Sequence, residues 1–271
     1  MLRISLGQDE AMRNWKVILL ISLSAFASTL HAQGDAAAQA DEPVEVEVGS
    51  SLESLTNGYA NWRSKYITAE KKLGEREAIY GSVLSTQRFN MNDTQALAGV
   101  YYPLASRWTL LLEGNKSSTH NVLAKMSALS QIQYNLDEGW NAQLGVRHTE
   151  YSSASINTLL VTGERYWSNY RAAYTQSVSA LAGAGSVSSG RIQLSKYYDE
   201  HSSIGVGFSK GSEIENLGLT LGILITPVQY IGLNGRHWFS RDWAASYEVA
   251  TSKQGSLYTR NTFQLGLRYQ F

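Results

Sequence analysis

From Val44 to Phe271 the chain is a series of short runs in which apolar and polar residues alternate. A period of two marks a β-strand, whose successive side chains point to opposite faces. In "WNAQLGVRH", Trp140, Ala142, Leu144 and Val146 share one parity, and Asn141, Gln143, Gly145 and Arg147 share the other. "FQLGLRYQF" puts Phe263, Leu265, Leu267, Tyr269 and Phe271 on one side and Gln264, Gly266, Arg268 and Gln270 on the other. "VEVEV", "IGVGFS" and "WAASYEV" behave in the same way. "WTLLLEG" does so except at Leu111, which breaks the pattern. Helical periodicity is nearly absent.

Short polar turns end at residues 76, 107, 139, 169, 202 and 242, and several lead at once into an aromatic that opens the next run: Trp108, Trp140, Tyr170 and Trp243. Their recurrence at a period of roughly thirty residues is one hairpin repeated. It sets Trp and Tyr at one level, as a membrane-interface girdle requires. The opposite connections vary more, and the longest follows Lys210. The count is about fourteen strands, and twelve or sixteen fit the same pattern. "RSKYITAEKKL" and "EAIYGSVLSTQRF", the second and third strands, alternate too poorly for their faces to be assigned.

The polar parity is polar in almost every run, and no amphipathic helix is available to cover a sheet. A soluble barrel of this size is too wide to fill with Gln, Gly and Arg. If the apolar parity faces lipid, the backbone must be fully paired, which a closed cylinder achieves without edges. The fold expected is all-β: a transmembrane up-and-down antiparallel barrel over residues 44–271. Its inner face takes the polar parity. Glu113, Gln131, Gln133, Asn141, Gln143 and Arg147 fall there in the first half. Arg191, Gln193, Asn234, Arg236, Glu248, Gln264 and Arg268 follow in the second. Arg236, Glu248 and Arg268 lie on three successive strands, where they could pin register across the lumen. Parity places no sugar-stacking aromatic inside.

Ahead of the barrel, "MRNWKVILLISLSAFASTLHAQ" has basic Arg13 and Lys16, an apolar run from Val17 to Leu30, and Ala32. This is the layout of a secretory signal peptide over residues 1–32, with Met12 as an alternative start. The apolar run rises only about 21 Å, short of a bilayer core. Residues 33–43, small and polar, read as a linker. With 23 Lys+Arg against 23 Asp+Glu and no Cys, the chain offers no electrostatic case for nucleic acid, no disulfide framework and no thiolate site.

The alternating strand that closes on Phe271 resembles the assembly signature of bacterial outer-membrane barrels. That resemblance implies recognition of Phe263, Leu265, Leu267, Tyr269 and Phe271 by the barrel-assembly machinery. More narrowly, "LTNGYANWRSKYITAEKKLGEREAIYGSVLSTQRFNMND" and "GERYW" (163–167) are similar to the YaiO family of outer-membrane barrels. The resemblance implies an outer-membrane protein with loops at the cell surface, in contact with lipid and lipopolysaccharide. Some members of that family carry tetratricopeptide repeats before the barrel and accompany polysaccharide export systems, a possible partner here. The linker of this chain holds no such repeat.

Candidate chemistry is sparse. His31, His120, His148, His201 and His237 show no metal-ligand spacing. His148, Glu150 and Ser152 lie near a strand end where a lipid-modifying site could sit, yet no G-x-S-x-G accompanies them. "GVGFSKGS" echoes a phosphate loop but is itself strand-like, where a helix should follow. No catalytic residue, metal or cofactor is expected. The expected function is a non-enzymatic channel or export pore for polar or saccharide-like solutes. Two alternatives share the pattern: a plugged barrel that binds through surface loops or supports the envelope, and a lipid-modifying barrel enzyme.

Overall fold

The computed structural model describes residues 43–181, 185–199, 201–216 and 222–271. The signal peptide expected over residues 1–32, and all but the last residue of the expected linker, lie outside the described residues. Within them the chain forms one closed antiparallel barrel of fourteen strands. The first seven are β1 (Val44–Leu55), β2 (Trp62–Gly74), β3 (Glu77–Arg88), β4 (Met91–Ala105), β5 (Trp108–Ser117), β6 (Met126–Asn135) and β7 (Trp140–Glu150). The others are β8 (Ser155–Trp167), β9 (Tyr170–Leu181), β10 (Gly185–Tyr198), β11 (Ser202–Asn216), β12 (Ile223–Trp238), β13 (Trp243–Gln254) and β14 (Tyr258–Gln270). Each pairs with its sequence neighbours, and β1 pairs with β14 to close the cylinder. No helix among the described residues is long and apolar enough to cross a membrane.

The apolar parity points outward. Leu144 and Val146 on β7 are 52% and 57% exposed, whereas Asn141 and Gln143 are 1% and 3% exposed. On β14, Phe263, Leu265 and Leu267 are exposed while Gln264 and Arg268 are buried. Such an arrangement is inside out for a water-soluble domain and correct for a lipid-facing wall. Leu111, out of pattern in the sequence, turns inward. It packs with Ala78, Tyr101, Leu129 and Leu160 in a small apolar cluster on the inner wall.

One end of the barrel carries the short turns, the start of β1 and the end of β14; the other carries connections of more varied length. At the turn end Trp108 lies against Tyr134 and Trp243 against Tyr269, with ring centroids 4.5 and 4.7 Å apart. Trp167 stacks with Tyr170 at 6.0 Å. Trp108, Trp167, Tyr170 and Trp243 are exposed and, with the half-buried Tyr134 and Tyr269, form the expected girdle. At the loop end, β3 and β4 are joined by Phe89 and Asn90, both with positive φ (51° and 63°). Tight hairpins need that geometry because its twist matches the strands. The stretch after Lys210, read as a loop from sequence, is largely strand: β11 continues to Asn216 and β12 begins at Ile223.

β2 and β3 resist a face assignment because neither side is uniform. Trp62, Ser64, Tyr66 and Thr68 face inward on β2, while Arg63, Lys65 and Ile67 face outward. On β3, Ala78, Leu84, Thr86 and Arg88 are buried inside. Inward aromatics therefore exist where parity indicated none.

Candidate functional site

The candidate site is the lumen. Fourteen strands spaced about 4.8 Å apart and tilted near 40° enclose a backbone cylinder about 28 Å across. Large side chains and one loop narrow that space. Of the residues that parity places on the inner face, Gln131, Gln133, Asn141, Gln143, Asn234, Arg236, Glu248, Gln264 and Arg268 are buried, and Glu113, Arg147, Arg191 and Gln193 are half-buried.

Where β1 and β14 meet, Arg268 reaches back to β1. Its Nη1 lies 2.5 Å from Glu45 Oε2 and its Nε 2.8 Å from Glu47 Oε2. Glu70 on β2 is 4.0 Å away. Tyr66 and Ser246 each donate to Glu47 Oε1 at 2.8 Å, and Gln264 donates to the Tyr66 hydroxyl at 3.3 Å. Arg236, 2% exposed, lies in the same field of carboxylates. Gly49 and Gly266 oppose each other here. The Tyr66 ring lies where a side chain at Gly49 would stand, and a Cβ at Gly266 would come 2.7 Å from both Glu47 Oε1 and the Tyr66 hydroxyl. Two missing side chains thus make room for the cluster. Arg268 pins β14 to β1, while Glu248 on β13 accepts from Tyr230 at 2.8 Å.

A second network runs around β6–β9. Gln131 donates to Gln143 at 2.9 Å and Gln143 to Glu164 at 3.2 Å. Glu164 also receives Tyr166 at 3.1 Å and pairs with Arg171 at 2.8 Å. Nearby, Gln133 donates to Asn135 at 2.9 Å. Glu113 accepts Tyr80 at 2.7 Å and faces Arg147 at 3.3 Å. Arg191 lies over the Tyr230 ring, 5.2 Å from its centroid.

The wall from β8 to β10 is different. Hydroxyls pair across the strands: Thr158 with Ser179 at 2.9 Å, Thr162 with Thr175 at 2.8 Å, and Ser177 with Ser189 at 2.8 Å. Thr175, Ser177, Ser179, Ser189, Arg191, Gln193 and Ser195 keep part of their surface accessible. Here the inner wall is rich in partly accessible hydroxyls, and its charges are Arg191 and the Glu164–Arg171 pair.

At the loop end the β5–β6 connection, residues 118–125, folds inward. Asp93 on β4 accepts the backbone N–H groups of Val122 and Leu123 at 2.8 Å and of Asn121 at 3.1 Å. Val122 and Leu123, 2% and 1% exposed, pack on Tyr66 and Leu84 of the inner wall. Ala124 joins Tyr151, Ile156, Leu181, Ile214 and Ile223 on the far side of the mouth. Trp62, flanked by the guanidinium groups of Arg88 and Arg260 at 4.6 and 5.1 Å, anchors a further aromatic group with Tyr258 and Phe89.

His148, Glu150 and Ser152 each bond to a different partner and not to one another. His148 pairs with Asn157 at 2.8 Å, Glu150 with Lys125 at 2.7 Å, and Ser152 donates to the His120 carbonyl at 3.0 Å. Sequence reasoning also passed over Glu45, Glu47, Glu164, Arg171 and Asp93. The polar parity of "VEVEV" and of "GERYW" carried the signal for three of them.

Comparison with solved structures finds the same architecture. A bacterial polysaccharide outer-membrane secretin aligns over 86% of this chain and 100% of its own, at 10% identity and a TM-score of 0.55. The outer-membrane protein Omp33 of Acinetobacter baumannii aligns over 86% of this chain and 100% of its own, at 9% identity and a TM-score of 0.51. At such identity the likeness is one of fold. A comparison by sequence with curated proteins finds no match. The YaiO membrane beta barrel domain matches residues 44–215. With its apolar outer wall and its polar, partly accessible interior, the chain is a bacterial outer-membrane β-barrel that belongs to the YaiO family.

Proposed function

We propose that the protein is a narrow, non-enzymatic channel for neutral polar solutes of the saccharide class, with its loop end at the cell surface. The observation that carries this reading is the accessible hydroxyl and amide wall of β8–β10, set against charge clusters elsewhere that neutralise themselves. Hydroxyls and amides exchange hydrogen bonds with a polyol as water does, and a wall whose charges are Arg191 and the mutually paired Glu164 and Arg171 favours neither ion sign strongly. The polysaccharide secretin shares only the barrel architecture, so the saccharide assignment rests on this chain's own wall. The outward parity of β14 and Phe271 is the surface offered to the assembly machinery. A polysaccharide export system is the partner in keeping with such a cargo.

The inward fold of residues 118–125 favours a second reading, a barrel closed at rest that opens when this loop moves. Planar-bilayer recording separates the two. The channel reading predicts small, weakly selective currents from wild type and larger ones from Asp93→Ala. Silence from both folded proteins would overturn it.

A further inference from the structure

On the outer surface of β1–β4, three successive cross-strand rows change character towards the loop end. Val48, Ile67, Val83 and Ala96 oppose one another in the first. Ser50, Lys65, Ser85 and Thr94 form the second, and Leu52, Arg63, Gln87 and Asn92 the third. All of these side chains are exposed on the lipid-facing side. Rows lie about 7 Å apart and neighbours within a row about 4.8 Å. One small group seated over Ser85 is therefore within reach of both Lys65 and Arg63.

Two features make this more than a solvated edge. Among the described residues, the side chains of Arg63 and Lys65 have neither an ion pair nor a hydrogen bond. The nearest acid on β1, Glu53, turns inward and pairs with Arg260. The cations also directly follow an apolar row, so a ligand bound here has a charged head beside an acyl-chain surface. A point-charge ammonium, a forked guanidinium and flanking hydroxyls suit a tetrahedral oxyanion approached from several directions.

We propose that Arg63 and Lys65, assisted by Ser50, Ser85 and Gln87, bind the phosphate of an outer-leaflet glycolipid whose chains lie along Val48, Ile67 and Val83. This rests on the loop end facing the cell surface, but not on conduction, so loss of the channel reading would leave it standing.

The test is native mass spectrometry of the folded barrel in detergent with lipid A carrying two phosphates or none. Wild type should bind the phosphorylated form at least tenfold more tightly. Arg63→Gln with Lys65→Gln should abolish that preference, and Arg63→Lys should keep most of it. Inorganic phosphate at equal concentration should not displace the lipid. Equal binding of the dephosphorylated lipid by wild type, which involves no variant, would overturn the proposal. So would full binding by the double variant, or displacement by free phosphate.

Discussion

Arg268 meets carboxylates from two other strands, and the balance at that point is between attraction and the cost of burying charge. Removing one member of a buried, hydrogen-bonded group strands the others and typically costs about 3–5 kcal/mol. Arg268→Met should therefore lower the temperature at which the folded barrel converts to the unfolded band on gels. Glu45→Gln and Glu47→Gln in the same chain should restore much of the loss, because no unpaired charge then remains on β1. Gly99 makes a sharper local case. The Tyr80 ring lies where its side chain would stand, and Tyr80 donates to Glu113. Gly99→Ala must displace that ring, at about 1–3 kcal/mol. Gly114, whose nearest neighbour to an added Cβ is 3.9 Å away, should accept Ala within about 0.5 kcal/mol. Thermal melts of both variants check the contrast.

At the scale of elements, the centre of the connection 118–125 is held by the Asp93 carboxylate, which takes three of its backbone N–H groups. Hydrogen bonds to a charged acceptor are worth about 1.5–3 kcal/mol each. Asp93→Ala should raise the open population of the loop at least about tenfold and speed tryptic cleavage after Lys125 accordingly. Unchanged cleavage would mean that the packing of Val122 and Leu123 and the Lys125–Glu150 pair hold the loop without Asp93. Elements also show where the sequence could be read. β7 and β14 are legible because lipid lies on one side and polar neighbours on the other, so alternation is clean. β2 and β3 are not, because Tyr66 and Leu84 turn inward to meet the folded loop, while Arg63 and Lys65 turn outward beyond the apolar band. "VLA" at 122–124 was the missed sign, since three apolar residues in a row in a loop need something to pack against. Glu45 and Glu47 were visible as the polar parity of β1, but their partner Arg268 lies at the far end of the chain and only barrel closure brings them together.

For the whole molecule, alternation of lipid and lumen around a closed cylinder underlies the girdle of Trp and Tyr, the buried charge networks and the hydroxyl wall of β8–β10. Spin labels placed one at a time from Asn141 to Val146 on the barrel in lipid bilayers test it most directly, by comparing relaxation by oxygen, which partitions into lipid, with relaxation by a polar nickel complex. Labels at Ala142, Leu144 and Val146 should respond to oxygen, and those at Asn141, Gln143 and Gly145 should not. A response without a period of two, or with the two parities exchanged, would contradict the account.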